Sequence, residues 1–174
     1  MALSVTACSG PGSGSHDASP SPQTVEAAPS TGTRGSRIEA EKPALLDIYK
    51  RYWTEQVKAY GRASDRGTDL QKYATTQALS RALSDLQGLK ASHRVLRGVP
   101  QHDAEVTSIG LDKKVPDTKV TDCLDVSDWR TVTSSGKTLP AAKGVLKRDV
   151  AVASAEKWGS RWMITKIDTH GRAC

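Results

Sequence analysis

Asp122 is the residue of this chain whose position best suits proton transfer. It alternates with Val120, Leu124 and Val126, so a strand here would place a carboxylate on an apolar face, where a charge is unexpected. Inside a pocket, such a carboxylate acts as a general base while Tyr or Trp polarises the substrate. The same pattern also fits an incompletely packed face, on which Asp122 caps a turn, pairs with Arg or Lys, or lies at a rim. We favour this second, structural interpretation.

The sequence contains no other catalytic signature. His93, His102 and His170 are scattered, no Ser or Cys nucleophile stands beside a base, and the glycines form no phosphate-binding loop. We therefore expect no cofactor and no metal site. Enzymatic activity stays open at this stage, and the sequence favours its absence.

Three cysteines are an odd number, so one of them needs a separate role. Val5-Thr6-Ala7-Cys8 resembles the lipobox of bacterial lipoproteins, which implies that residues 1–8 are the remains of a signal peptide and that Cys8 carries two acyl chains. The alternative is an incidental cysteine in a disordered leader. The lipobox interpretation makes the membrane a partner through Cys8.

Cys123 and Cys174 remain, and we expect them to form a disulfide, which an exported compartment permits. Closing a loop of about fifty residues stabilises a fold by roughly 4 kcal/mol, and here it would pin the C-terminus to a strand inside the sheet. The alternative is metal binding through His170 and Cys174, whose spacing is typical of ligands. A structural zinc site needs a second Cys/His pair, which the sequence lacks.

Residues 9–40 are predicted to be a disordered tether. From Ser9 to Ser36, nineteen of twenty-eight residues are Ser, Gly, Pro or Thr, and such a segment cannot bury enough apolar surface to become ordered. No stretch approaches the roughly eighteen apolar residues of a membrane-spanning helix, so the anchor is expected to be lipid. We expect the protein at the extracellular face of the cell membrane, lipid-anchored, or secreted.

The net charge of +6 comes from 25 basic and 19 acidic residues. The basic residues are dispersed along the chain and accompany no recognisable nucleic-acid-binding module. We expect a solvated, mildly basic surface and no nucleic acid as a partner.

Residues 41–174 are predicted to form one domain that begins with three helices. The first runs from Pro43 to about Tyr60, a short second helix carries Leu70 and Tyr73, and the third spans about Gln77 to Ala91. The first helix bears an apolar and aromatic stripe that we interpret as core, formed by Leu45, Tyr49, Tyr52, Trp53, Gln56 and Tyr60.

After Ser92 the apolar residues recur at every second position, which predicts consecutive strands. They lie near His93–Val99, Ala104–Leu111, Lys119–Val126, Trp129–Ser134, Leu146–Ala155 and Arg161–His170. The last two form a hairpin, and because its second strand is apolar on both faces we expect it in the centre of the sheet. Helices followed by strands predict an α+β fold with an antiparallel sheet covered on one face.

This layout resembles the NTF2-like superfamily, the cystatin-like α+β roll. More narrowly, the chain is similar to uncharacterised secreted proteins and lipoproteins of high-GC bacteria. The residues that carry this resemblance are Val120–Asp125, Trp129, Trp162-Met163-Ile164 and Cys174. The resemblance implies three helices on a curved antiparallel sheet with a pocket between them, which we expect to involve Tyr52, Tyr60, Trp129 and Trp162. It implies no activity, because the superfamily includes both enzymes and non-catalytic domains.

We therefore expect an exported, lipid-anchored accessory domain that binds a small apolar ligand, a cell-wall component or an envelope protein. The alternative is a pocket enzyme of isomerase or cyclase type, which requires Asp122 to face a closed pocket beside Tyr or Trp. A further possibility is a homodimer through the sheet, which requires an exposed apolar patch containing Trp129 or Trp162.

Overall fold

The computed structural model describes residues 31–174, which form three helices followed by six strands. The helices are α1 (Thr31–Tyr60), α2 (Leu70–Tyr73) and α3 (Thr76–Ala91). The strands are β1 (Arg94–Arg97), β2 (Ala104–Gly110), β3 (Asp117–Asp125), β4 (Arg130–Thr133), β5 (Arg148–Trp158) and β6 (Arg161–Thr169). The predicted α+β class and the order of the elements are confirmed.

Helix α1 begins at Thr31, well before the predicted start at Pro43, so residues 31–40 belong to the helix and not to the tether. Pro43 lies inside the helix, where a proline removes one backbone hydrogen bond. Tertiary contacts hold this segment in place. Glu41 bonds to Lys157 and to Trp162, and Arg34 lies 2.8 Å from Asp112. The sequence pattern around Pro43 does not reveal these distant partners.

The strands form two antiparallel sheets rather than one. Strands β1 and β4 make a two-stranded sheet, and the larger sheet has the order β2-β3-β5-β6. Its inner face packs against the helices and is rich in small and branched side chains, which are Val106, Val120, Leu124, Ala151, Ala153, Ala155 and Ile164. These join the aromatic stripe of α1 in one core, as the stripe predicted.

Strand β6 is an edge strand, so its predicted central position is wrong. Its outer edge is covered by the segment that leads into α3. The backbone N–H of Thr75 donates to the Ile164 carbonyl at 2.9 Å, and the Thr76 hydroxyl donates to the Thr165 carbonyl at 2.8 Å. Trp162 is also buried, so burial along this strand comes from helix and loop cover rather than from a further strand.

Candidate functional site

Asp122 lies in β3 on the face that packs against the helices. Thr118, Val120, Asp122 and Leu124 are all buried, which confirms the alternation that the sequence predicted. Directly opposite Asp122 stand Ala104 on β2 and Ala151 on β5, which offer no side-chain partner. The Asp122 side chain is 0% exposed. Its polar atoms must therefore be satisfied inside the fold.

Three groups from different parts of the chain bind the Asp122 carboxylate. The Tyr49 hydroxyl on α1 donates to Oδ2 at 2.8 Å, and Nδ1 of His102 lies 2.7 Å from the same oxygen. The backbone N–H of Asp103 donates to Oδ1 at 2.8 Å. Burial, and after it the Asp122 charge, raises the pKa of Tyr49 above its usual range, so this hydroxyl keeps its proton and remains a donor.

His102 connects this buried carboxylate to the protein surface. A carboxylate that accepts a hydrogen bond at Nδ1 selects the tautomer that carries its proton there, which leaves Nε2 as the outer nitrogen. The ring lies 4.9 Å from the Trp53 ring and 5.7 Å from the Tyr49 ring, between centroids, and the side chain is 24% exposed. The imidazole is thus oriented from one side by a carboxylate and from two others by aromatic rings.

This arrangement differs from both sequence interpretations of Asp122. The carboxylate does not lie at a rim and is not paired with Arg or Lys, because its partners are His102, Tyr49 and a backbone amide. It adjoins Tyr49, as the enzyme hypothesis requires. However, it lines neither the cavity between α1, α3 and β6 nor the groove between α1 and the β1–β2 loop. The sequence interpretation missed His102. The available signal was the inward-facing Asp122 itself, because a buried carboxylate needs donors.

Gly98 holds the loop that carries His102 against the rest of the fold. Its φ is +89°, and a Cβ atom built on it would lie 1.7 Å from the carbonyl oxygen of Asp128. Only glycine permits both this backbone conformation and this close approach. The loop between β1 and β2 is therefore packed directly onto the loop between β3 and β4, which fixes where His102 can lie.

A cavity of about 530 Å³ lies between α1, α3 and the end of β6. Its lining residues include Tyr52, Trp53, Gln56, Tyr60, Gln77, Ser80, Arg81, Ser84 and Asp168. Tyr52 and Tyr60 thus occupy the cavity wall, as predicted. Trp129 does not line it, but its ring stacks on Tyr60 at 5.6 Å between centroids. Its size lies within the usual range for small-molecule sites.

The wall of this cavity combines polar groups with apolar residues such as Ala78 and Ile167, and its charges are balanced. Asp85, just behind the wall, accepts from the Tyr60 hydroxyl at 2.9 Å and pairs with Arg81 at 3.2 Å. Asp168 pairs with Lys166 at 2.8 Å. Burial, followed by the Asp85 charge, raises the pKa of Tyr60, so its hydroxyl remains neutral. The wall therefore offers hydrogen-bonding groups without a large net charge.

Two polar groups of this cavity wall make no hydrogen bond to the described residues. Oε1 of Gln56 has no partner, although Gln56 is 8% exposed. Nε1 of Trp53 has none either, although Trp53 is 6% exposed and lines the same cavity. Buried polar atoms normally find partners, so these two mark a place where a polar ligand gains hydrogen bonds.

Trp162 lies elsewhere, so its predicted place in the pocket is wrong. Its indole N–H donates to Oε2 of Glu41 at 2.7 Å, and Lys157 lies over its ring, 5.6 Å from the centroid. The hydrogen bond from Lys157, followed by that from Trp162, lowers the pKa of Glu41. This cluster attaches the start of α1 to the β5–β6 hairpin.

The predicted disulfide between Cys123 and Cys174 is confirmed. The two Cα atoms are 5.8 Å apart and 51 positions separate the residues. The bond ties the C-terminus to β3, an inner strand of the larger sheet. Because the sulfur of Cys174 is bonded to Cys123, it is not free to bind a metal together with His170. Within residues 31–174, no cluster of three or more acidic, His or Cys side chains could hold a metal ion.

Cys8 and most of the predicted tether lie outside the described residues, so the lipobox, the lipid and the flexible linker stay predictions. Across the part of the chain that the structure describes, no helix is both long and apolar enough to cross a membrane.

Comparisons with known proteins show no family for this chain. No family model matches it, and no curated protein does. Among solved structures, it is similar to the intermembrane-space region of the chloroplast protein ARC6. The similarity covers 76% of this chain and 94% of that one, with 14% sequence identity and a TM-score of 0.46. We draw no functional conclusion from a similarity of this degree.

Proposed function

We propose that this chain is an exported, lipid-anchored binding domain without catalytic activity, displayed at the extracellular face of a bacterial cell membrane. The observation that carries this proposal is the bond between Cys123 and Cys174. Such bonds persist in oxidising compartments and are rare in the cytosol. Export agrees with the lipobox resemblance at Cys8, where two acyl chains would give stable anchoring.

The binding site in this proposal is the cavity between α1, α3 and β6. Three helices against an antiparallel sheet with a cavity between them agree with an NTF2-like roll, which we propose as the fold family. Of the ligands considered from the sequence, a cell-wall component agrees best with the cavity. Its wall combines hydroxyl and amide groups with ion-paired charges, so an uncharged ligand with many hydroxyl or amide groups, such as a wall saccharide, has the right chemistry.

Association through the sheet is supported less well. Trp162 is buried, and Trp129 is half-buried against Tyr60, so these residues do not form an exposed apolar patch. The opposite face of β3 and β5 carries polar side chains such as Lys119, Thr121 and Ser154. A polar face of this kind is typical of a solvated sheet rather than of a dimer interface.

An isomerase or cyclase that uses Asp122 as its base is also less favoured. The carboxylate is enclosed and accepts three hydrogen bonds, so a substrate proton has no direct route to it. Catalysis would have to pass through His102, and no second catalytic group stands beside its outer nitrogen among the described residues.

Export and anchoring are tested by intact-mass spectrometry of the chain expressed with its native upstream region in a bacterial host. We expect a mature chain that begins at diacylated Cys8 and shows two further thiols only after reduction. Cys8→Ser is the matched control, and it should lose the lipid while keeping the disulfide. An unprocessed chain with three free thiols would overturn the proposal.

Ligand binding is tested by titrating the protein with an N-acetylated wall disaccharide and measuring heat or NMR shifts. Gln77 lines the cavity and Gln87 lies on the same helix outside it, so they offer a matched pair. We expect Gln77→Ala to weaken binding by about fivefold, the value of one hydrogen bond, and Gln87→Ala to leave it unchanged. Absence of saturable binding, or equal effects of both changes, would contradict this site.

A further inference from the structure

A second site lies beside His102 and is separate from the proposed saccharide cavity. It is a groove of about 320 Å³ between one face of α1 and the loop that joins β1 to β2. Its lining residues are Lys50, Trp53, Thr54, Val57, Lys58, Val99, Pro100 and His102. The α1 residues recur at spacings of three and four, so they form one stripe along the helix.

The floor and walls of the groove are apolar. Trp53 and Val57 contribute from α1, and Val99 and Pro100 contribute from the loop. Val99 is 54% exposed, so its side chain is accessible to a ligand in the groove. A ligand that fits here must therefore have an apolar body.

The charged lysines that line the groove, Lys50 and Lys58, are both basic. Lys50 makes no ion pair with the described residues, while Lys58 shares its charge with Glu55 at 2.6 Å. His102 lines the groove, and its Nε2 has no partner among residues 31–174 because the hydrogen bond to Asp122 uses Nδ1. The Asp122 carboxylate lies behind the ring and is held by Tyr49 and the Asp103 amide, so it does not face the ligand.

We propose that this groove binds a small molecule with one carboxylate and an apolar body, of the kind represented by a medium-chain fatty acid. The carboxylate lies between Nε2 of His102 and the Lys50 ammonium, and the hydrocarbon covers Trp53, Val57 and Val99. Charge complementarity selects the head group, and burial of Val99 and Val57 favours the tail.

Binding in this geometry requires a proton on each ring nitrogen of His102. Nε2 must carry a proton to donate to the ligand, and the imidazolium that results stands between two carboxylates, that of Asp122 and that of the ligand. The other charged groups at the groove are Lys50 and the Lys58–Glu55 pair, and Tyr49 faces the ring from α1.

The test is an NMR titration of the full chain with octanoate, following the imidazole resonances of His102. We expect saturable shifts, and about tenfold weaker binding of 1-octanol, which has the same tail without the charge. Equal affinity for octanol and octanoate, or no saturable shift at His102, would overturn the proposal.

Two substitutions and their controls complete the test. His102→Gln and Lys50→Gln should each weaken octanoate binding about tenfold, as loss of a charge-assisted hydrogen bond predicts. Their matched controls, His170→Gln and Lys72→Gln, lie outside the groove and should have no effect. Lys50 is exposed, so its variant keeps the test meaningful if the His102 variant folds poorly. If Lys50→Gln and Lys72→Gln behave alike, the assignment of the carboxylate is wrong.

Discussion

One carboxylate oxygen of Asp122 lies 2.8 Å from the Tyr49 hydroxyl and 2.7 Å from Nδ1 of His102. The three residues belong to the first helix, the loop after β1 and an inner strand, so this single oxygen joins three layers of the fold. No Arg or Lys takes part. The buried polar centre is satisfied by a phenol, an imidazole and a backbone amide.

Asp122→Ala should lower the free energy of unfolding by about 3 kcal/mol, because it leaves the buried Tyr49 hydroxyl, the partly buried His102 ring and the Asp103 amide without their acceptor. Tyr49→Phe removes one donor and should cost about 1 kcal/mol. Chemical denaturation monitored by Trp fluorescence measures both. Asp47→Ala is the control, because its pair with Arg51 on α1 is exposed to solvent and should contribute little to stability. Similar costs for Asp122→Ala and Asp47→Ala would show that the centre is not structural.

Gly98→Ala should destabilise the fold by several kcal/mol, since the new Cβ would collide with the Asp128 carbonyl, which is backbone and cannot rotate away. Gly136→Ala is the matched control. Gly136 also has a positive φ, +85°, but its Cβ would meet nothing within 4 Å, so its cost should be about 1 kcal/mol. Thermal melts of the two variants compare them directly. Equal shifts would mean that the loop moves freely away from β3–β4.

Reduction of the Cys123–Cys174 bond should lower the free energy of unfolding by at most about 4 kcal/mol, because a long loop regains its freedom in the unfolded chain. Urea denaturation with and without reductant measures this loss. The double variant Cys123→Ser with Cys174→Ser should show the lower stability at once. Reductant should then change nothing further, and any additional effect in that variant would point to a cause other than this bond.

Glu41 should make stability depend on pH in the acidic range. The hydrogen bonds from Lys157 and Trp162 lower its pKa in the folded state, so the unfolded state binds the proton more tightly. The resulting stabilisation is present above about pH 4.5 and is lost as pH falls through the lowered folded pKa. Glu41→Gln should therefore be less stable than the parent near neutral pH by up to about 1 kcal/mol.

The difference between Glu41→Gln and the parent should narrow as pH falls below about 4.5 and disappear once the parent carboxyl is protonated in the folded state. Urea denaturation across this pH range tests the expectation, with Glu39→Gln as the control because Glu39 lies on α1 in an exposed pair with Lys42. A gap between Glu41→Gln and the parent that stays constant with pH would assign the effect to packing rather than to charge.

The sequence predicted the helices and strands well because each shows a regular spacing of apolar residues or ends near a Gly or Pro. It failed where distant contacts outweighed that signal. Helix α1 extends through Pro43 because Glu41 is bonded to Lys157 and Trp162, more than a hundred positions away. Strand β6 is apolar on both faces because the segment before α3 covers it, although no further strand does.

By itself, the sequence determined that Asp122 shares a face with Val120 and Leu124, that Cys123 and Cys174 pair, and that an aromatic stripe lies along α1. These follow from side-chain alternation, cysteine number and helical spacing, which are local or countable properties. Only the tertiary structure decided what Asp122 meets, because its partners His102 and Tyr49 are 20 and 73 positions away. The β2–β3 register and the packing of α1 bring them together, and neither is encoded in any single stretch of the chain.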